Sequence, residues 1–173
     1  MSVSLNAAIV DTYMQILPSV AGLIDKAEEH CKAEGLPETA LTEARLAEDM
    51  WPFAKQIFEC GHHSSRAIEG VRKGSFSPEI DPVPSDFPSL RAEIESAIDI
   101  VKGVGDGELD SIADRDMKFV FGERSMPFTV ADFLLTFSLP NFYFHATTAY
   151  DILRNQGLPV GKMDYLGKLR LKL

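Results

Sequence analysis

The sequence predicts an all-α protein, an up-down-type four-helix bundle with a short β-hairpin before the last helix. Several long stretches carry apolar residues at intervals of three and four, which places them on one helical face. These stretches end at glycine or proline, and their connections suit neighbouring helices of a bundle. The 173 residues, 45% of them hydrophobic, can bury one sizeable core, so we expect a single domain over residues 1–173.

The first predicted helix covers residues 4–33 and is amphipathic. Its apolar face carries Ile9, Tyr13, Ile16, Val20, Leu23, Ala27 and Cys31. Pro18 lies inside it and predicts a kink or a break, because its ring removes one backbone hydrogen bond and clashes with the preceding turn. Gly35 and Pro37 mark its end.

The second predicted helix covers residues 46–73, with Pro52 tolerated near its start. Its apolar spacing runs through Leu46, Met50, Phe53, Ile57, Ser64, Ile68 and Val71. The stretch 75–88 follows, and its four prolines predict a crossover or ordered loop, since proline favours extended backbone over helix.

The second half of the chain predicts two more helices and a hairpin. Ser85 is the expected N-cap of a third helix that ends at Gly103. Residues 117–130 alternate around a turn at 122–125, which predicts a β-hairpin. The last helix is predicted over residues 132–155, with a kink or restart at the proline within it.

Charge and cysteine content narrow the function classes. The net charge of -9 is spread along the chain, which disfavours nucleic acid and anionic membranes as partners. Cys31 and Cys60 lack the spacing of a zinc site and are expected to be buried. Asp11 interrupts the first apolar stretch, and the uncharged run 12–24 is too short to span a bilayer, so we expect a cytoplasmic protein.

His145 is the centre of the predicted functional site. It shares a helical face with Asn141 and Thr148, at offsets of four and three, so it should point inward. A buried imidazole needs partners for both nitrogens, and Tyr143 and Tyr150 could supply hydroxyls. The alternative is an ordinary core histidine that is satisfied by its neighbours.

Asp49 and Gln56 flank the apolar stripe of the second helix and could reach the same pocket, although flanking polar residues are usually solvated. His62 and His63 are neighbours, and neighbouring helical residues point about 100° apart, so they should not converge on one ion. At most one of them should face the core; we expect solvent or packing roles for both, and a surface role for His30.

The sequence also carries a family resemblance that covers nearly the whole chain. Residues 139–154 read LPNFYFHATTAYDILR, residues 161–167 read GKMDYLG, and residues 45–53 read RLAEDMWPF, followed by Gln56. These motifs resemble an uncharacterised bacterial family, a domain of unknown function, within the DinB/YfiT-like superfamily. The resemblance implies a four-helix bundle, commonly dimeric, related to metalloenzymes that bind a divalent ion through three histidines.

In that superfamily, one ligand comes from the second helix and two come from the last, in an HxxxH pattern followed by arginine and glycine. Counting back from Arg154 and Gly157 places His145 at the second histidine of the pair. Asn141 stands at the first, and residues 46–56 contain no histidine. We therefore expect no tightly bound metal; if Zn²⁺ or Ni²⁺ binds, His145 is the expected ligand.

Three functions remain open at this stage. The first is metal-free binding of a small polar ligand by His145, Asn141, Asp49, Gln56 and Tyr150. The second is a metal-dependent enzyme of the thiol transferase or hydrolase type, in which His145 is joined by Asp49 or a nearby histidine. The third is a dimerising scaffold without catalytic activity, in which Trp51, Phe142 and Phe144 leave apolar surface for a homodimer.

Overall fold

A computed structural model describes residues 3–78 and 82–172, so part of the predicted 75–88 loop lies outside the described residues. The described chain is mostly helical, with one small sheet. Its α-helices are α1 (Leu5–Glu34), α2 (Thr39–Thr42), α3 (Phe53–Gly61), α4 (Ala67–Lys73), α5 (Phe87–Lys102), α6 (Glu108–Ser111), α7 (Val130–Asp132), α8 (Leu139–Asn155) and α9 (Lys162–Leu166). Two π-helical segments, His62–Arg66 and Phe133–Ser138, connect α3 to α4 and α7 to α8.

The first predicted helix is confirmed as α1. The Ser4 hydroxyl accepts a hydrogen bond from the Ala7 N–H, and Gly35 ends the helix in the left-handed conformation. The helix continues through Pro18, so the alternative of two separate pieces is wrong. By length and composition α1 could cross a membrane, but its apolar face is buried against the rest of the chain, as in the core helix of a soluble protein.

The second predicted helix starts seven residues later than expected. Residues 43–52 are not helical, and α3 begins at Phe53, directly after an extended Pro52. Proline disfavours helical backbone in the residue before it, so Trp51 cannot extend the helix backwards. The short helix α2 precedes this loop and was not predicted.

The hairpin is confirmed, and it belongs to a larger sheet. Strands β2 (Asp116–Phe121) and β3 (Arg124–Thr129) are antiparallel. A third strand, β1 (Ser75–Phe76), pairs with β2 in parallel. The predicted all-α class therefore describes this mostly helical chain only in part.

The third and the last predicted helices follow the predictions closely, whereas the short helices α6 and α9 were not predicted. The N-cap of α5 is Asp86, whose carboxylate accepts from the Ser89 N–H, and not Ser85 as expected. The last helical region changes from π-helix to α-helix at Leu139, and Pro140 lies in the first turn of α8. This restart agrees with the one predicted at Pro140.

The longer helices enclose the core. α1 packs against α5 and α9, while α3 packs against α8 and α5. The buried side chains include Tyr13 and Phe142, which meet edge to face. Phe142 therefore contributes no exposed surface for a scaffold, contrary to the expectation.

Candidate functional site

A cavity of about 640 Å³ lies between α3, α8, both π-helical segments and the sheet. His145 lies within it, on the inward face of α8, and is 4% exposed. We call this space the His145 cavity. Its polar lining includes Lys55, Gln56, Glu59, His62, His63 and His145, and its aromatic lining includes Trp51, Phe76, Phe119, Phe121, Phe137 and Phe144.

Gln56 fixes the orientation of the His145 ring. The Gln56 Nε2 donates to the carbonyl oxygen of Trp51 at 3.0 Å, so its Oε1 faces the ring. That oxygen lies 2.7 Å from His145 Nδ1. Because an amide oxygen can only accept, Nδ1 carries the proton and Nε2 keeps its lone pair. The expected partners Tyr143 and Tyr150 are thus replaced by a buried glutamine.

Two further rings stack on the imidazole. Trp51 lies on one side, with ring centroids 5.6 Å apart and planes at 15°. His63 is likewise stacked on His145, at 5.6 Å and 14°. Trp51 is 50% exposed, so it lies between the imidazole and solvent at the mouth of the cavity.

The strongest chemical feature is a cluster of Glu59, His63 and His145. One ligand atom from each side chain lies within 4.8 Å of the other two, and all three residues are buried. Oε2 of Glu59 is 3.6 Å from Nε2 of His63. The other carboxylate oxygen pairs with the Lys55 ammonium group at 2.6 Å.

Burial keeps the histidines of the cavity neutral. Burial, with Lys55 and His62 as smaller causes, lowers the pKa of His145 to about 4. The pKa of His63 falls to about 2, again chiefly through burial. Neutral imidazole is the form that offers a lone pair to a metal or accepts a proton.

A π-helical segment brings His62 and His63 into the core together. The Ser64 hydroxyl donates to the Cys60 carbonyl at 2.6 Å, and the Ser65 hydroxyl donates to the Gly61 carbonyl at 3.0 Å. These bonds supply partners to carbonyl groups next to the irregular turn. Both histidines are buried and pack on Phe76, so the expectation that no more than one faces the core was wrong.

The predicted site residues occupy different positions. Gln56 is buried at the centre, whereas Asp49 is exposed at the rim of the cavity. Asn141 lines the cavity, but its Nδ2 donates to the Phe137 carbonyl at 2.7 Å, within its own helical turn. Tyr150 lies outside the cavity lining and packs near Tyr165 instead.

Sequence reasoning missed Lys55, Glu59 and His63 as site residues. The offsets from Gln56 to Glu59 and from Glu59 to His63 are three and four, so they share one face of the helix. The ligands predicted from the second helix lay no further along it than Gln56, and the carboxylate considered among them was Asp49. Continuing the same helical spacing two turns beyond Gln56 would have identified Glu59 and His63.

Comparison with known proteins supports the fold. The model of one family, described as Domain of unknown function (DUF1993), matches residues 5–166. The crystal structure of a DinB family member protein from Shewanella denitrificans matches with a TM-score of 0.81 and 25% sequence identity, over 98% of this chain and 95% of that chain. No curated protein matches the sequence.

Proposed function

Since the chain belongs to the DUF1993 family, whose description assigns no reaction, we propose a function from the site itself: the protein binds a divalent transition-metal ion through Glu59, His63 and His145. The observation that carries this proposal is the convergence of these three buried ligand atoms within 4.8 Å of one another. The family resemblance to DinB-like metalloproteins supports it, and a carboxylate takes the place of the missing third histidine.

The residues present fit such an ion. Two neutral imidazoles and one carboxylate are a common donor set for Zn²⁺, Fe²⁺ and Ni²⁺. Ligand atoms about 2.0–2.2 Å from a shared ion lie roughly 3–3.5 Å from one another. The ligand atoms of Glu59, His63 and His145 lie up to 4.8 Å apart, so side-chain shifts of about 1 Å would bring them to an ion. The hydrogen bond from His145 Nδ1 to Gln56 already leaves Nε2 available, which is the usual support of a metal-ligating histidine.

The proposed ligands differ from the superfamily pattern in their origin. The α8 position four residues before His145 holds Asn141, whose amide donates to the Phe137 carbonyl one turn earlier. The Glu59 carboxylate comes from α3 instead. A carboxylate is a much better ligand for these ions than an amide oxygen, so Glu59 supports metal binding at a site where the sequence predicted no tightly bound metal.

A bound ion would supply Lewis-acid chemistry to a substrate in the His145 cavity. His145 and His63 would hold it, and Glu59 would offset part of its charge. The aromatic lining would exclude water from the reacting groups. A metal-dependent enzyme is thus the form of the proposal that uses the whole cavity.

One observation favours a second candidate, metal-free binding of a small polar ligand. Lys55 pairs with Glu59 at 2.6 Å, so the carboxylate already has a cationic partner. In a metal-free pocket, Gln56 and His145 would form the polar end that contacts the ligand. The two candidates differ in whether an ion binds to Glu59.

Metal binding by untagged protein discriminates between them. Elemental analysis after purification, and again after incubation with Zn²⁺ and Ni²⁺, should give about one ion per chain. Trp51, the single tryptophan, stacks on His145, so its fluorescence should be quenched as Ni²⁺ binds. Glu59→Gln and His63→Gln should abolish binding, while His30→Gln, on α1 outside the cavity, should leave it unchanged.

A wild-type protein that takes up no ion would overturn the metal proposal and leave the metal-free pocket. Equal binding by all three variants would place the ion elsewhere. Circular dichroism of each variant checks that lost binding does not reflect lost folding.

Three broader features complete the proposal: a four-helix bundle built on α1, α3 with α4, α5 and α8; a homodimer; and a cytoplasmic location. The packing of these helices supports the first. Trp51 and Phe144, near the cavity mouth, are 50% and 56% exposed. Such exposed aromatic side chains support the homodimer, in which a second copy of the chain would cover them. Sedimentation as a monomer at micromolar concentration would remove the dimer.

A further inference from the structure

We propose that the His145 cavity binds a small molecule with a ring-sized apolar body and a single anionic group, and that Lys55 selects the anion. This inference rests on the proposed metal site and adds the chemical class of its ligand. Two features of the cavity carry it, its aromatic wall and its balance of charge.

The aromatic wall defines the apolar part of the ligand. Phe76, Phe119 and Phe137 pack in sequence, with centroids 6.2 Å apart for the first pair and 4.8 Å for the second. Phe121 and Phe144 extend this wall toward the mouth and are 61% and 56% exposed. About 640 Å³ is within the usual range for small-molecule sites of roughly 300–1,000 Å³. A flat apolar body would cover these exposed rings.

Without an ion, the charges deep in the cavity are balanced. The Lys55 ammonium group pairs with the Glu59 carboxylate, and the two side chains are 17% and 6% exposed. The ammonium group also lies 5.1 Å from the Trp51 ring centroid and 4.9 Å from that of Phe58. It is therefore held at the cavity wall by the carboxylate and two rings.

A divalent ion would upset this balance. Imidazole ligands are neutral when they bind a metal, so among the residues that the structure describes Glu59 would supply the one buried negative charge that faces both the ion and Lys55. Asp49 is exposed at the rim, where solvent screens its charge. Uncompensated buried charge is costly, so an anionic group on the ligand would offset part of the added positive charge and would be drawn to Lys55.

Binding of phenylacetate to the zinc-loaded protein tests the inference, with phenylacetamide and acetate as matched probes. The amide keeps the ring and removes the charge, while acetate keeps the charge and removes the ring. A charge-assisted contact is worth about 1.5–3 kcal/mol, so phenylacetate should bind at least about tenfold more tightly than phenylacetamide by calorimetry. Phenylacetate should also bind more tightly than acetate, and Phe121→Ala should reduce the ratio of these two affinities.

Variants of Lys55 separate its role from that of zinc. Lys55→Met should reduce phenylacetate affinity about tenfold or more while zinc stays bound, and Lys55→Arg should restore most of it. Lys102→Met is the matched control, because Lys102 is exposed and outside the cavity lining; it should change nothing.

The outcomes distinguish the two proposals. If zinc binds but the amide binds as well as the acid, or Lys55→Met has no effect, the charge argument is overturned and the metal site stands. If acetate binds as tightly as phenylacetate, or neither ring compound binds, the apolar part is overturned. If zinc itself does not bind, both proposals fall together.

Discussion

Gln56 is the residue whose replacement tests the site most directly, and Gln56→Met is the change to make. Methionine keeps an unbranched side chain of similar length but removes the amide. Two hydrogen bonds disappear, one to the Trp51 carbonyl at 3.0 Å and one to His145 Nδ1 at 2.7 Å. His145 is 4% exposed, so its ring N–H would be left buried without a partner.

The magnitude follows from these two losses. A buried donor without a partner costs about 1–3 kcal/mol, and a lost neutral hydrogen bond costs about 1 kcal/mol. We therefore expect the free energy of unfolding to fall by about 2–4 kcal/mol, with an unchanged urea m-value. Zinc affinity should fall about 10–100-fold, because the imidazole is no longer held with Nε2 available.

Urea unfolding and zinc calorimetry provide the two measurements, and two variants provide the controls. Gln56→Glu keeps an oxygen acceptor for His145 and should retain more zinc affinity than Gln56→Met. Asn141→Ala should bind zinc nearly as well as wild type, since the Asn141 amide bonds to Phe137 within its own turn. Zinc affinity in Gln56→Met equal to that of wild type would refute the orienting role of Gln56.

Three further predictions concern other parts of the chain. Without metal, the free energy of unfolding should fall as the pH is lowered from about 6.5 to about 5. Burial lowers the pKa of His62 and of His145 to about 4, so over this pH range only the unfolded chain takes up these protons. A free energy of unfolding that does not change with pH in urea titrations would contradict this. The Cys60 thiol is fully buried and burial raises its pKa, so it should react with dithiobis(nitrobenzoate) only after unfolding in urea; rapid labelling of the folded protein would show that this part of the core opens. Gly167→Ala should lower the melting temperature, since Gly167 has φ of 61° and a Cβ there would collide with the Ser19 side chain on α1; Gly22→Ala, where nothing lies near the added atom, is the matched control and should not lower it.

The sequence allowed the long elements to be predicted because their patterns are local. The apolar spacing and the flanking glycine of α1 give both its existence and its end. The same holds for α5 and for the hairpin. Short elements were missed, because β1 has two residues and depends on pairing with β2, a strand some forty positions later in the chain. No local pattern determines such a pair.

The site was predicted in part for a different physical reason. The orientation of His145 follows from helical spacing alone, and the structure places it inward. The burial of both His62 and His63 depends on a π-helical turn, in which the angle between neighbours differs from that of an α-helix. That turn is supported by Ser64 and Ser65 hydroxyls, a contact that ordinary helical spacing does not anticipate.

Exchanging a histidine for Glu59 changes more than the identity of one ligand. In a three-histidine site of the kind the resemblance implies, a divalent ion keeps both positive charges, and its ligand must meet them at the ion. In the proposed site Glu59 removes one of these charges, while the paired Lys55 brings one positive charge back at the wall of the cavity. The total is unchanged, but part of the positive charge now lies on a side chain that contacts two aromatic rings. An anionic ligand would therefore be recognised at Lys55, and the ion would remain available to polarise another group.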